Sequence, residues 1–257
     1  MRDSEEIAPP APFALVPGRA AVVVICDHAS AAIPPDLGDL GLPAAARDSH
    51  IAWDPGAAAV TRDLARRLGA WAVLGGVSRL VIDCNRPPGG AGSVPAESDG
   101  VAVPGNRGLT AAAIEARIER WFRPYHDAVA AALAAAGPAP ALVAVHSFTP
   151  CLASRPDPRP WQVGVLWNRD DRLAAPLLAA LRARPGLVVG DNEPYSGRDT
   201  NHTLDRHAGA AGLPHVSIEI RQDLLAAADA PARWAALLAE CLAPLLGAAG
   251  GAARAAE

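Results

Sequence analysis

Short runs of β-branched and other apolar residues alternate with alanine-rich segments along this 257-residue chain. Short apolar runs bounded by turn residues are typical of strands, whereas longer segments with helical periodicity are typical of helices. The apolar runs predict strands at residues 21–26, 71–74, 77–84, 142–145, 162–167, 187–189 and 215–220. The alanine-rich segments predict helices at residues 55–68, 110–136, 171–184, 200–211 and 231–246. This alternation predicts a three-layer α/β/α fold, because helices on both faces of a mixed, largely parallel sheet leave its strands almost continuously apolar.

The composition excludes several classes of protein. The chain is 51% hydrophobic and carries a net charge of −4, so neither a disordered chain nor a nucleic-acid partner is expected. All of its 23 basic residues are arginine, which excludes Schiff-base chemistry and a phosphate-binding P-loop, since both need lysine. The sequence contains neither an internal repeat nor a linker, and we therefore expect residues 1–257 to form a single domain.

The distribution of apolar residues and cysteines indicates a soluble cytoplasmic protein without a membrane partner. The N-terminal segment is acidic and proline-rich, with no apolar stretch typical of a signal peptide. The most apolar stretch, residues 128–145, is interrupted by Gly137, Pro138 and Pro140, so we expect no membrane helix there. The four cysteines form no C-x-x-C pair and are predicted to be buried free thiols.

Polar side chains collect where several predicted strands end, which is where α/β folds place their chemistry. These candidate residues are Asp27, His28, Ser30, Asp83, Asn85, Arg86, His146, Ser147, His215, Ser217, Glu219 and Arg221. The last four alternate along one strand and therefore share a face. Taken singly, each has a structural explanation, such as an ion pair or a hydrogen-bonded histidine. Together they predict a functional site at one edge of the sheet.

Two histidines and one carboxylate are a common ligand set for catalytic zinc, and a glutamate beside them can act as a general base. Asp54 could supply the carboxylate, although its position just before Pro55 equally predicts a helix N-cap. The chain contains no H-E-x-x-H, G-x-S-x-G or G-x-G-x-x-G motif, which argues against a helix-borne metalloprotease site, a serine hydrolase and a nicotinamide enzyme. His202 and His207 are interpreted as structural residues or as residues that support the site ligands from behind, and His126 as a surface or core-packing residue.

Six segments, in consistent order over most of the chain, resemble the N-formylglutamate amidohydrolase family. They are CDHASAAIP, DSHIAWDPGA, SRLVIDCNRP, VHSFTP, GDNEPYSG and LPHVSIEIRQDL. The resemblance implies relatedness to zinc carboxypeptidases and aspartoacylase-like hydrolases, with a phosphorylase/hydrolase-like, zinc exopeptidase-like fold. It also implies hydrolysis of an N-acyl group from an amino acid, typically the formyl group of N-formyl-L-glutamate at the end of histidine breakdown.

The resemblance implies a role for each matching residue. It implies that His28 and His146 bind Zn²⁺ or another divalent metal, and that Glu219 is the general base. It also implies that the D-x-N-R segment, with Asp83, Asn85 and Arg86, holds a substrate carboxylate. The related carboxypeptidases place a ligand glutamate three residues after the first histidine, where this chain has Ala31. We therefore expect the third ligand to be Asp54, with His50 as the alternative.

These roles lead to a hypothesis for the reaction with a small N-acyl amino acid. Glu219 deprotonates a water that attacks the acyl carbonyl, and Arg86 helps to stabilise the oxyanion. Glutamate has two carboxylates, so a second arginine is expected, either Arg198 or Arg221. Tyr195 and Ser30 are further candidates for substrate binding.

Two other functions remain open at this stage. One is a zinc deacylase or carboxypeptidase-like amidase for another N-acyl amino acid, and the other is a metal-free binding protein on the same fold. The irregular stretch 87–108 is predicted to be a functional loop or lid, because long structureless spans inside compact domains usually are. The sequence does not determine the oligomeric state.

Overall fold

A computed structural model describes residues 10–254 of the chain. Its strands are β1 (Phe13–Val16), β2 (Val22–Cys26), β3 (Trp71–Gly75), β4 (Glu97–Ser98), β5 (Val101–Ala102), β6 (Ala141–Phe148), β7 (Val163–Leu166), β8 (Val189–Asp191) and β9 (His215–Arg221). Its α-helices are α1 (Ala44–Arg47), α2 (Ala57–Leu68), α3 (Ala111–Arg117), α4 (Arg123–Ala136), α5 (Ala174–Arg182), α6 (Gly197–Thr200), α7 (His202–Leu204) and α8 (Ala230–Arg254).

Within residues 10–254, seven strands form one sheet in the order β1-β3-β2-β6-β9-β7-β8. The β1–β3 and β7–β9 pairs are antiparallel, and the other pairs are parallel, so the predicted mixed, largely parallel sheet is confirmed. Strands β2, β6 and β9 are neighbours that run in the same direction. Their carboxyl ends therefore meet at one edge of the sheet, as do the residues that follow them.

Helices cover both faces of the sheet, which confirms the predicted three-layer fold. Helices α2, α5 and α8 pack on one face, where alternate strand residues such as Val24, Val143 and Ile218 point. Helix α4 packs on the other face, against residues such as Ile25 and Leu142. The two apolar clusters bury both sides of the central strands, which explains why these strands are almost continuously apolar.

Most predicted elements are confirmed, with shifts of a few residues at their ends. The predicted helix 110–136 is α3 and α4 joined by a π-helical turn at Ile118–Phe122, and Thr110 caps its start by accepting from the Ala113 amide. The predicted helix 200–211 is divided between the short helices α6 and α7 and a π-helical turn at Asp205–Gly209. Stretch 87–108 contains the β4–β5 hairpin and a 3₁₀ turn at Pro104–Asn106.

Two expectations are wrong, and one strand was missed. Residues 77–84 form no strand, although the segment is as apolar and buried as a central strand. Its backbone bonds instead to irregular segments and to side chains: the amides of Ser78 and Arg79 donate to the carbonyls of Ala32 and Ala52. The carbonyls of Leu80 and Val81 accept from Asn106 Nδ2 and Arg117 Nη1. The edge strand β1 was not expected. The four free cysteines are not all buried, because Cys151 is exposed.

No helix within residues 10–254 combines the length and the apolarity needed to cross a membrane. Residues 1–9, where the absence of a signal peptide was predicted, lie outside the described part of the chain, as do residues 255–257.

Candidate metal and catalytic site

Three segments that are far apart in sequence bring His28, Asp54 and His146 together. His28 follows β2, His146 lies in the neighbouring strand β6, and Asp54 precedes α2. The Asp54 amide donates to the His28 carbonyl over 2.9 Å, which ties the Asp54 turn to the end of β2. One possible ligand atom from each of the three buried residues lies within 4.8 Å of the others. The structure thus brings together the three residues predicted as metal ligands.

Both histidines turn their Nδ1 atom towards the Asp54 carboxylate. Asp54 Oδ2 is 2.8 Å from His146 Nδ1 and 3.4 Å from His28 Nδ1. The other ring nitrogen of each histidine faces a second carboxylate, with His28 Nε2 2.8 Å from Asp83 Oδ1 and His146 Nε2 3.3 Å from Asp27 Oδ2. A carboxylate behind a metal-binding histidine fixes its tautomer and ring orientation.

The buried atoms of this cluster fit a divalent metal. His28 Nδ1 is buried and has no hydrogen-bond partner among the described residues. Buried polar atoms are normally satisfied, and an orphaned imidazole nitrogen next to a carboxylate is suited to coordination. Two imidazoles and one carboxylate are also a donor set that zinc uses in catalytic sites. These residues therefore have the chemistry and the proximity of a metal centre.

The interpretation of Asp54 as a helix cap is wrong. Gly56 occupies the N-cap position of α2 with a φ of 81° and no side-chain cap bond. The Asp54 carboxylate points instead to His146 and to the Arg79 guanidinium, with which it forms a close ion pair. His50, the alternative ligand, lies outside the three-residue group, and its Nε2 donates to Asp99 Oδ2 over 3.0 Å.

The carboxylates behind the histidines stay ionised despite their burial. Burial alone would raise the pKa of Asp27, but hydrogen bonds from His146 and Thr203 and the charges of the histidines hold it below its ordinary value. Burial opposes ionisation of Asp83 in the same way, yet the charge and hydrogen bond of His28 lower its pKa to about 2. Both carboxylates are therefore ionised and can accept hydrogen bonds from the imidazoles.

Glu219 lies beside His146, in register with it on the adjacent strand β9. The side chain is buried, with 7% of the residue exposed, and its Oε2 has no hydrogen-bond partner among the described residues. Burial raises the pKa of Glu219, and the charges of His146 and Arg79 oppose that rise. A buried carboxylate with a raised pKa and an unpaired oxygen has the properties of a general base.

A cavity of about 160 Å³ opens onto this cluster. The predicted residues that line it are His28, His50, Asp54, Asp83, Asn85, Arg86, His146, Ser147, Tyr195, Ser217 and Glu219. Ser30, Arg198 and Arg221, predicted to bind substrate, do not line it. Ser30 Oγ accepts from the Ala32 amide, and Arg221 pairs with Asp223. The Arg198 guanidinium lies 5.8 Å from the centre of the Trp167 ring.

Sequence reasoning missed several residues around the cavity. Arg79 and Asn201 line it, and Arg159 contacts the lining residues Thr149 and Tyr195. Arg79 lies in the segment SRLVIDCNRP, so its polar side chain inside an apolar run was an available signal. Arg159 and Asn201 lie in irregular segments, where no periodicity indicates which way a side chain points.

Comparison with known proteins places this architecture among characterised folds. The sequence profile of the N-formylglutamate amidohydrolase family matches residues 20–226. A crystal structure of a gene product from Agrobacterium tumefaciens is 39% identical, with a TM-score of 0.87 over 93% of this chain and 96% of that one. A crystal structure of N-formylglutamate amidohydrolase from Ralstonia eutropha has the same fold, at 23% identity and a TM-score of 0.68, over 94% and 99% of the two chains. No match was found among curated proteins.

Proposed function

The chain belongs to the N-formylglutamate amidohydrolase family, and from that premise we propose that it hydrolyses N-formyl-L-glutamate with water to formate and L-glutamate. The observation that supports this most strongly is the buried group of His28, Asp54 and His146 next to Glu219. In this proposal the three residues hold Zn²⁺ or another divalent metal. Bound there, such a cation would polarise the formyl carbonyl and lower the pKa of a nearby water.

Glu219 is the proton carrier in this proposal. Its unpaired Oε2 takes a proton from the attacking water and later returns that proton to the nitrogen of the departing amine. The raised pKa of Glu219 suits the first step, because a carboxylate with an ordinary pKa is a weaker base and would take a proton from water less readily. Its register position beside His146, one of the three proposed ligands, supports this role.

Two arginines can stabilise the oxyanion that forms on the former carbonyl oxygen. Arg86, the predicted donor, has few competing contacts, since its Nε is 4.0 Å from Asp83 Oδ2 and its Nη1 donates to the Asp199 carbonyl over 3.4 Å. Arg79 is a second candidate, because it pairs with Asp54 and its buried Nε has no partner among the described residues. Preorganised donors of this kind are often the largest single contribution to catalysis.

Asn85 shapes the wall of the cavity in addition to its proposed contact with substrate. Its Nδ2 donates to the Thr200 carbonyl over 2.9 Å, and its Oδ1 accepts from the Thr203 amide over 3.0 Å. Thr200 lines the cavity, so these bonds hold that wall in place. One Nδ2 hydrogen stays available for a substrate carboxylate.

Metal analysis of ligand variants tests the proposal. We expect the purified protein to contain about one divalent ion per chain and to lose amidase activity on N-formyl-L-glutamate after chelation. His28→Ala and His146→Ala should lose the metal, as measured by elemental analysis. His50→Ala is the matched control, because His50 lines the same cavity and should leave metal content intact. If His50→Ala loses the metal and Asp54→Ala keeps it, His50 is the third ligand instead of Asp54. A wild-type protein without metal would favour the alternative of a metal-free binding protein.

A deacylase for another N-acyl amino acid is the second candidate function. A neighbouring groove shares His50 and Thr149 with the catalytic cavity and continues past Pro150 and Gln222, which offers space for a longer acyl group. A panel of formyl, acetyl and succinyl derivatives of glutamate separates the two functions. The proposed function requires the highest kcat/KM for the formyl compound.

A further inference from the structure

We propose that Arg159 and Tyr195 form an anion-binding subsite at one wall of the catalytic cavity. Tyr195 donates its hydroxyl hydrogen to a substrate carboxylate, and Arg159 positions that hydroxyl and supplies positive charge behind it. The inference rests on the proposed function and specifies what selects an acidic amino acid.

Arg159 is a buried cation without a carboxylate partner. Only 7% of the residue is exposed. Within residues 10–254, its hydrogen bonds reach neutral groups alone: Nη1 donates to Tyr195 Oη over 2.9 Å and to the Thr149 carbonyl over 3.3 Å. Nη2 is buried and has no partner among the described residues. Burying an unpaired charge is costly, so such a group is expected where an anion completes the site.

Tyr195 links this charge to the cavity. Its side chain lines the cavity, and its ring centre lies 4.8 Å from the guanidinium carbon of Arg159. Because Oη accepts from Arg159, the hydroxyl hydrogen stays free, and no group in the described part of the chain accepts it. Burial, together with the charge of Glu219, raises the pKa of Tyr195, so the hydroxyl keeps its hydrogen at neutral pH. A phenol that accepts from a guanidinium is polarised and becomes a stronger donor.

The subsite has a fixed position relative to the metal-binding group. The bond from Arg159 to the Thr149 carbonyl anchors it just past the end of β6, the strand that carries His146. Of the other arginines near the cavity, Arg79 is already paired with Asp54, and Arg86 has the proposed role of stabilising the oxyanion. Arg159 is therefore the cation best placed to attract a second substrate carboxylate.

Kinetics with substrates that differ in one carboxylate test this assignment. The substrates are N-formyl-L-glutamate and its two monoamides, with the amide at either the side-chain or the α-carboxyl group. Arg159→Met should lower kcat/KM on N-formyl-L-glutamate by about 10- to 100-fold, the range for losing a charge-assisted hydrogen bond. One of the two monoamides lacks the carboxylate that the subsite recognises. On that substrate, Arg159→Met should lower kcat/KM by only about threefold or less relative to the wild type. Arg159→Lys, which keeps the charge, should fall between the wild type and Arg159→Met.

Two further variants separate the subsite from a merely structural role. Tyr195→Phe should show the same substrate dependence, and the double variant Arg159→Met/Tyr195→Phe should lose little beyond the worse single variant, because both act through one hydrogen bond. Arg117→Met is the matched control. Arg117 is also buried but donates to Val81 and Asn106, so its removal should leave the ratio between the three substrates unchanged. Thermal unfolding checks that each variant is folded.

An equal loss on all three substrates in Arg159→Met, or no loss on any, would overturn the subsite. Calorimetric binding of glutarate, a plain dicarboxylate, keeps the test independent of catalysis. If the wild type hydrolyses none of the substrates, the proposed function fails, but a Kd for glutarate that rises at least about tenfold in Arg159→Met still supports the subsite. An unchanged Kd, or no binding to the wild type, would overturn it.

Discussion

At the scale of single residues, the carboxylates around the two histidines contact histidines that are distant in sequence. Asp27 directly precedes His28, yet its Oδ2 faces His146 Nε2 in the neighbouring strand. His28 instead contacts Asp83, 55 residues further along the chain. Asp27 and His28 lie in the turn that follows β2, and there the two adjacent side chains reach different partners. An Asp-His dipeptide therefore does not predict an Asp–His pair.

Glu219→Gln should separate proton transfer from metal binding. Glutamine keeps the size of the side chain but cannot accept a proton from water, so kcat should fall by about 10²- to 10⁴-fold. Metal content should stay at the wild-type level, because Glu219 lies outside the three-residue ligand group. Steady-state kinetics and elemental analysis of the same preparation check both expectations. Full turnover in the variant would show that Glu219 is not the base.

Asn201 is a buried carboxamide whose side chain makes no hydrogen bond within the described residues. It is 4% exposed, lines the cavity, and leaves Nδ2 unpaired. Replacing an unsatisfied polar group with an apolar group of similar shape is nearly neutral or stabilising. We expect Asn201→Leu to leave the midpoint of thermal unfolding unchanged or higher, while kcat/KM falls by about tenfold or more because the substitution removes an unpaired donor from the cavity wall. A variant with lower stability and full activity would contradict this.

At the scale of elements, Asn106 holds the irregular segment 77–84 that carries the site residues Arg79 and Asp83. Its Nδ2 donates to the carbonyls of Leu80 and Pro95 over 2.8 Å, and its Oδ1 accepts from Arg117 over 2.7 Å. Asn106→Ala leaves several buried polar groups unpaired. We expect the free energy of unfolding to fall by about 2–4 kcal/mol, as measured by urea denaturation. Asn201→Leu is a suitable control, because it removes a buried asparagine side chain that makes no hydrogen bond within the described residues.

Asp99 attaches the stretch 87–108 to the mouth of the cavity. It has a φ of 46°, and its carboxylate accepts from His50 Nε2, from the amides of Ala153 and Ser154, and from the Ser154 hydroxyl. Asp99→Ala frees His50 and loosens this connection. We expect KM for N-formyl-L-glutamate to rise by about 3- to 30-fold while metal content is unchanged, because the metal-binding group is untouched. An unchanged KM would show that the mouth does not depend on this tether.

The elements that sequence reasoning identified correctly are those with a strong local pattern. Strands β2, β6 and β9 are apolar runs that end in polar residues, and that pattern located His28, His146 and Glu219. Residues 77–84 carry the same apolar pattern without being a strand, because burial alone requires apolar side chains whether or not the backbone is extended. Asp54 shows the same ambiguity, since an aspartate before Pro55 satisfies the sequence signature of a cap while its carboxylate serves the site.

At the scale of the whole molecule, the site depends on strand order, which no local pattern encodes. The order β2-β6-β9 places His146 between His28 and Glu219, although the three are separated by more than seventy residues at each step. The same long-range packing brings Arg159 and Asn201 to the cavity from loops. Sequence reasoning could therefore name candidates at strand ends but could not find side chains that reach the site from irregular segments.

Stability should also depend on pH through a buried histidine pair that is not part of the proposed ligand group. His126 is 1% exposed; its Nε2 donates to the Cys84 carbonyl over 3.0 Å, and its Nδ1 accepts from His207 Nε2 over 2.8 Å. Burial lowers the pKa of His126 to about 3 and that of His207 to about 4, well below the ordinary value of 6.5. The folded protein therefore keeps both rings neutral, whereas the unfolded chain protonates them as the pH falls below about 6.5.

The stabilisation from this pair is complete above about pH 6.5 and is lost as the pH falls toward 4. For His126 alone, moving from pH 7 to pH 5 should cost about 2 kcal/mol of the free energy of unfolding. Urea denaturation of the wild type and His126→Gln at both pH values isolates this contribution, because all other titrating groups are common to the two proteins. We expect the wild type to lose about 2 kcal/mol more than the variant over this interval. Equal losses would mean that His126 is protonated in the folded state and that its bond to His207 is not the one described.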